Sequence, residues 1–230
     1  MSEFIENSVF FGVLVSLLSY GIGIVLKKRL KHSLFNPLLI SIVLTILILL
    51  GLKIDYAVYY EGAKYISYLL TPATICLAIP LYEQMELLKN NLKIILLGIL
   101  SGVLTSLCSI LALALLFGLN KAEYVTLLPK SVTTAIGMGI SEELGGYVSI
   151  TATVIIITGI LGNVIADGLF KIFHITEPIA KGIALGTASH AIGTAKAIEL
   201  GETESAMSSL SIVVAGILTV VGASVFAQFL

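Results

Sequence analysis

Three stretches of this 230-residue chain set polar side chains into otherwise apolar sequence. The first is Leu70-Thr71-Pro72-Ala73-Thr74. Pro72 has no N–H, so in a helix the carbonyl of Tyr68, one turn back, loses its partner. Thr71 and Thr74 supply hydroxyls either to that freed backbone or to a ligand, and an ordinary proline kink is the plainer alternative. The second is Leu128-Pro129-Lys130-Ser131-Val132-Thr133-Thr134, followed by Gly137, Gly139, Ser141, Glu142 and Glu143. Pro129 is expected to start a helix. Lys130 brings positive charge, and Ser131, Thr133 and Thr134 bring hydroxyls. A helix N-terminus with these groups suits a small carboxylate. The alternative is that Lys130 snorkels to an interface and the hydroxyls bond back to their own helix. The third is Gly186-Thr187-Ala188-Ser189-His190-Ala191-Ile192-Gly193-Thr194. Imidazole titrates in the range that suits proton coupling, and glycine lets a backbone unwind and approach a ligand closely. Thr187, Ser189, His190 and Thr194 are therefore candidate binding residues. A lone histidine is otherwise more often a satisfied packing residue.

Asp167 is a second candidate for proton coupling. Its plainer reading is an i,i+4 pair with Lys171. Glu177, Lys181, Lys196 and Glu199 read as markers of interfaces, and Gly162 and Gly168 as packing sites. No nucleotide-binding loop, zinc spacing or nucleophile elbow is present, so no cofactor, metal or catalytic role is expected. Cys76 and Cys108 lie in apolar runs without metal-ligand spacing and read as buried free thiols.

The elements that carry these residues must lie in lipid. Hydrophobic residues make up 57% of the chain and charged residues 12%, with a mean hydropathy of +1.07. Ordinary globular proteins are about 25% charged. The deficit runs the whole length, which excludes a single anchor on a soluble domain. A net charge of -1 offers no basic surface for nucleic acid. The expected fold is all-α, a polytopic membrane protein in one domain spanning 1–230. Bilayers force this, because an unpaired amide in lipid costs several kcal/mol. Apolar segments of spanning length run from about Val9 to Leu26, Phe35 to Leu52, Tyr65 to Tyr82 and Ile94 to Leu119. Beyond these lie an interrupted segment, Tyr124 to Ile140, a strong span, Tyr147 to Phe173, a weakly hydrophobic one, Ile179 to Ile198, and a final span, Met207 to Leu230. The count is eight, or seven if one interrupted segment is re-entrant, and the side of the C-terminus depends on that choice. Lys27, Lys28, Arg29, Lys31 and His32 form the densest basic cluster and belong on the cytoplasmic side, which puts the N-terminus outside. Tyr56, Tyr59 and Tyr60 are expected in an outside loop, and Lys89 and Lys93 inside again. The polar N-terminus lacks a basic n-region, so no cleaved signal peptide is expected.

The chain also hints at duplication, in units of about 35–119 and 147–230. Leu69 to Pro80, a polar linker and Gly98-Ile99-Leu100 parallel Gly186 to Gly193, Glu199 to Ser205 and Gly216-Ile217-Leu218. Carriers built from such repeats hold substrate near the bilayer midplane between broken helices. Small residues also recur simply because membrane helices pack closely.

The segments Leu128 to Thr134, Gly139-Ile140-Ser141-Glu142, Gly159-Ile160-Leu161-Gly162, Gly182 to Ala195 and Leu70 to Tyr82 together resemble the LrgB/CidB family over most of the chain. One departure is Ala135, where the family often has proline after the paired threonines. The resemblance implies a bacterial cytoplasmic (inner) membrane protein described as antiholin-like or holin-like. Such proteins modulate murein hydrolase activity and autolysis, usually beside a smaller LrgA/CidA-type membrane partner. It also implies transport. Plastid relatives move glycolate and glycerate, and some bacterial members are linked to pyruvate. The resulting expectation is a proton-coupled carrier for small monocarboxylates such as pyruvate, glycolate or lactate. Its partners would be the lipid bilayer, a small organic anion and a second copy of the chain in a dimer. The competing expectation is an oligomeric regulator of lysis with no specific substrate. An intramembrane enzyme is disfavoured, since no nucleophile pairs with His190 or Asp167.

Overall fold

The structure is a computed structural model that describes residues 10–30, 35–76 and 78–230. The side chains of Leu70, Thr71, Thr74, Pro80 and Leu81 lie outside the described residues, as do Lys31 and His32. All regular structure among the described residues is helical. In chain order the helices are α1 (Phe11–Leu30), α2 (Pro37–Leu52), α3 (Tyr56–Ser67), α4 (Leu70–Cys76), α5 (Ala78–Glu83) and α6 (Met85–Phe117). They continue with α7 (Lys121–Leu127), α8 (Thr134–Glu143), α9 (Val148–Ile172), α10 (Pro178–Leu200) and α11 (Glu202–Phe226). Among the described residues, α1, α6, α9 and α11 are long and apolar enough to cross a membrane, and α2 is a shorter apolar helix. At 1.5 Å per residue, 20 residues reach about 30 Å, the thickness of the hydrocarbon layer. Large apolar side chains such as Leu97, Leu104 and Leu116 of α6 and Ile217 and Val221 of α11 are exposed. Water would punish such a surface, whereas lipid matches it. The protein is a helical membrane protein.

The chain forms two compact units, Met1–Cys76 and Leu77–Leu230. In the first, Asn36 caps α2 by accepting from the amides of Leu38 (2.8 Å) and Leu39 (3.3 Å), with Pro37 at the first helical position. Asp55 caps α3 in the same way. Tyr56, Tyr59 and Tyr60 therefore lie on a helix rather than in the expected loop. The Tyr59 hydroxyl meets Ser16 of α1 at 2.7 Å.

The segment Tyr65 to Tyr82, expected as one span, is divided among α3, α4 and α5. The prolines explain the division. Pro72 and Pro80 each stand third in a short helix, within the first turn, where a missing N–H leaves no bond unmade. Cys76 and Cys108 are exposed free thiols rather than buried ones.

In the second unit α6 is the spine. Ile95, Ile99, Val103, Leu107, Ile110 and Ala114 form one buried stripe, packed with Tyr124, Leu128 and the α11 residues Met207, Ala215 and Ala223. Gly118, at φ +65, ends α6, and its amide closes on the Ala114 carbonyl. Asn120 and Glu123 then form a reciprocal cap that starts α7.

Candidate functional site

Two chain reversals build the site. The first follows α7. Pro129 does not start a helix. It lies in a turn in which the amide of Lys130 bonds the Leu127 carbonyl (3.1 Å) and that of Val132 bonds the Pro129 carbonyl (3.3 Å). The next helix, α8, begins only at Thr134, with Thr133 at its cap and no side-chain capping bond. The chain doubles back here, because the Thr151 hydroxyl touches both the Thr126 carbonyl (2.9 Å) on α7 and the Ser141 hydroxyl (2.7 Å) on α8. Lys130 and Ser131 sit at the tip of this helical hairpin.

The second reversal lies inside α10. His190 has φ 43 and ψ -136, a left-handed backbone conformation in the middle of the helix. A side chain on Gly193 would overlap the Leu185 carbonyl, eight residues earlier. In a straight helix these residues stand about 12 Å apart. Leu185 also clusters with Ala197 and Leu200. Residues 178–189 and 191–200 therefore run back against each other as a second hairpin, with His190 at its tip. Gly182 and Gly186, one turn apart, place the first arm directly on α11, where added side chains would strike the Glu204 and Ser208 backbones. Gly162 of α9 gives Ser189 its space. Gly168 has nothing within 4 Å, so it is not a packing site.

Ile155 of α9 joins the two tips. Its carbonyl lies 3.0 Å from His190 Nε2, and its side chain fills the place of an absent Cβ on Gly137, beside Pro129 and Val132. A carbonyl only accepts, so Nε2 carries the hydrogen. Unwound backbone at the second tip is satisfied locally. The Asn163 amide donates to the Ile192 carbonyl (2.9 Å), and the Thr194 hydroxyl reaches the His190 carbonyl (3.1 Å) and Ser208 (2.7 Å).

A cavity of about 800 Å³, open along one side where Ile94, Ser101, Thr105 and Ser109 are exposed, runs between α6, the first arm of α10 and the tip of the α7–α8 hairpin. It extends along α6 from Asn91 to Ser109, eighteen residues or about 27 Å of helix. Glu177 lines it near one end. Of the candidate residues, Lys130, Ser131 and Thr187 line this cavity. Lys130 Nζ donates to Ser131 Oγ (2.9 Å), which in turn lies 3.3 Å from Ser106 Oγ. Among the described residues no carboxylate forms an ion pair with Lys130.

Ser189, His190 and Thr194 are buried behind the cavity wall, and Thr133 and Thr134 stand half-buried at the start of α8. Thr71 and Thr74 belong to the other unit, and their side chains are outside the described residues. Asp167 pairs with Lys196 at 2.8 Å rather than with Lys171, and Glu199 flanks the same lysine at 3.5 Å. The α6 wall, with Ser101, Thr105, Ser106 and Ser109, was missed by the sequence reading. Its signal was hydroxyl residues spaced by four (101, 105, 109) within an apolar run.

The LrgB-like family profile matches residues 16–229. The chain is 41% identical over 222 residues to "Antiholin-like protein LrgB" of Bacillus cereus (strain B4264), covering 96% of each chain. The corresponding protein of Bacillus anthracis (strain CDC 684 / NRRL 3495) is similar to the same degree. No solved structure matches. The chain belongs to the LrgB-like family.

Proposed function

We propose that the protein is a carrier for small monocarboxylates of the pyruvate, glycolate and lactate kind, coupled to protons, and not an enzyme. One observation carries this reading. A lysine that forms no ion pair among the described residues stands at a hairpin tip in the wall of an open cavity, next to a second hairpin tip. An uncompensated ammonium in such a place calls for an anion, and paired broken segments are how carriers expose backbone and side chains to a substrate. The carboxylate binds Lys130 Nζ and Ser131 Oγ. Thr133 and Thr134 hold the amide-rich start of α8 behind them. His190 takes up the proton at Nδ1, Ser189 and Thr194 support the fold around it, and Asp167 ties α9 to the returning arm of α10 through Lys196. The order of a broken stretch followed by a long helix in α4–α6, and again in α10–α11, fits a duplicated architecture.

The topology that goes with this reading has eight membrane segments in a single membrane domain, six that span and two, α7–α8 and α10, that are re-entrant from opposite faces. The N-terminus lies outside the bacterial cytoplasmic membrane, which agrees with Lys27, Lys28 and Arg29 at the end of α1. The working unit is a dimer beside a smaller LrgA/CidA-type membrane protein.

The second reading, an antiholin-like oligomer that restrains murein hydrolases and lysis, is favoured by the name of its 41%-identical relatives. The test is uptake of labelled pyruvate, glycolate and lactate into proteoliposomes, with and without a pH gradient. Saturable, gradient-driven uptake that falls at least tenfold in Lys130→Ala supports the carrier, and lysis effects are then secondary. Absence of saturable uptake, with or without the small partner, supports the regulator.

A further inference from the structure

We infer that the site takes carboxylates carrying an apolar tail of about six to ten carbons, with the head at Lys130 and Ser131 and the tail laid between α6 and the first arm of α10. The inference rests on the carrier reading above, from which it takes the anion end, and it names the class of substrate that fills the rest of the cavity.

A three-carbon acid leaves most of this cavity empty. At about 30 Å³ per heavy atom, water's share of its own liquid, pyruvate needs roughly 180 Å³, against about 800 Å³ available. Space of that size holds ligands of drug size. The free polar groups stand at the ends. Lys130 Nζ and Ser131 Oγ mark the inner end, and Glu177 is exposed at the outer one. Between them the α6 wall has spent its donors on its own turns. Ser101 reaches the Gly98 carbonyl at 2.8 Å, Thr105 the Ser101 carbonyl at 2.7 Å and Ser109 the Ser106 carbonyl at 2.9 Å. Thr187 turns its methyl to Gly102 and seals its hydroxyl inside. The facing arm of α10 otherwise offers Ile179, Ala180, Ile183, Ala184 and Ala188. A second polar group on the ligand would find no donor along this stretch, whereas an alkyl chain needs none.

Contacts fix the register along the cavity. Ser106 lies 3.3 Å from Ser131 beside Lys130, and Ile183 stands 3.4 Å from where a Cβ on Gly98 would be. From the level of Ser106 back to that of Gly98 is about 12 Å of helix, and to that of Ile94 about 18 Å. An extended alkyl chain advances about 1.3 Å per carbon, and a carboxylate bonded to Lys130 starts about 3 Å from it. Decanoate therefore runs from Lys130 past Gly98 and ends short of Ile94, before the polar mouth at Asn91 and Glu177. The flank left open at Ser101 and Thr105 lets a tail enter sideways from the bilayer. Charge decides which amphiphile stays, because the ammonium of Lys130 forms no ion pair among the described residues and a carboxylate head supplies one.

The test is equilibrium dialysis of radiolabelled propionate, hexanoate and decanoate against the full-length protein in lipid nanodiscs, with partition into empty nanodiscs of the same lipid subtracted. Each buried methylene tightens binding about two- to fourfold, so decanoate is expected to exceed propionate by at least roughly 100-fold. Lys130→Ala weakens hexanoate and decanoate by a similar factor of about ten or more, because the head is common to both. Ala184 is exposed and lines the cavity near the level of Gly98. Ala184→Leu sets a side chain across the tail's path, so decanoate weakens by about fivefold or more while hexanoate, which ends before that level, stays within about twofold. If that variant is not monodisperse, Ala180→Leu, one turn nearer the mouth, is judged by the same criterion with dodecanoate. Affinity that does not rise with chain length overturns the inference. So does decanoate binding no greater than that of empty nanodiscs, in which case bilayer lipid holds the space, and so does decanoate binding indifferent to Lys130→Ala. The carrier reading is judged apart from these results, by pyruvate uptake in the proteoliposome assay.

Discussion

Substituting His190 by glycine and by alanine separates the two things this residue does. Its backbone sits at φ 43, ψ -136, a region that side-chain-bearing residues enter at a cost of about 1–3 kcal/mol. Its ring is 3% exposed and bonded to the Ile155 carbonyl at 3.0 Å. Both substitutions lose that bond, about 0.5–1.5 kcal/mol, and both leave a ring-sized void beside Gly159. Alanine keeps the backbone strain because it keeps Cβ. Glycine removes the strain but frees the unfolded chain, which returns about 0.5–1 kcal/mol. The balance leaves His190→Gly more stable than His190→Ala by about 1 kcal/mol, or roughly 2–4 °C in Tm for a chain of this size. Thermal unfolding of the detergent-solubilised protein, followed by loss of the monodisperse peak, measures the difference. An alanine variant that melts at or above the glycine variant would refute the reasoning that the turn at the second tip imposes this backbone. The two variants lack the imidazole equally, so gradient-driven uptake should fall by the same factor in both.

The remaining expectations can be checked with the same preparations. Gly186→Ala drives a methyl into the Ser208 backbone, so it should cost about 3 kcal/mol or more and lower the melting temperature sharply. Gly168→Ala, in open space, should be neutral or slightly stabilising, since alanine is the better helix former by up to about 1 kcal/mol. Lys196 is 12% exposed between Asp167 and Glu199. A double-mutant cycle of Asp167→Asn with Lys196→Met should therefore give a coupling of about 1 kcal/mol, discounted because Asp167 is part-exposed. A cycle of Asp167→Asn with Lys171→Met should give none. Zero coupling in the first cycle would mean that α9 and the returning arm of α10 are not held together there.

Only some element boundaries were legible in the local sequence. Asn36-Pro37 starts α2 because a side-chain oxygen caps the free amides and proline needs no partner. The breaks at 128–133 and at His190 were also legible, since glycine, proline and hydroxyl residues crowd into apolar runs where lipid tolerates them only for a reason. What the chain does at each break was not legible. An unwound stretch can kink or reverse, and the amino acids at the turn are compatible with both. For α10 the reversal depends on Gly193 lying against the Leu185 carbonyl and on Asn163 reaching Ile192 from another helix. For Tyr65 to Tyr82 the apolar run suggested one span, but Pro72 and Pro80 each open a new short helix.

By itself, then, the sequence determined the solvent and the elements. Few charges and long apolar runs require lipid, and lipid requires helices, because each is a property of the residues within one segment. It also singled out Lys130, Ser131 and Thr187 as polar side chains within apolar sequence. Which of them share a space was decided by tertiary structure alone. Lys130, Ser131 and Thr187 meet at one cavity because the α7–α8 hairpin tip, the first arm of α10 and the hydroxyl face of α6 converge there. His190, three residues from Thr187, is turned behind the wall and bonds to α9. Asp167 passes over Lys171 for Lys196. Such choices depend on how helices distant in sequence pack against one another, and no spacing along the chain encodes that.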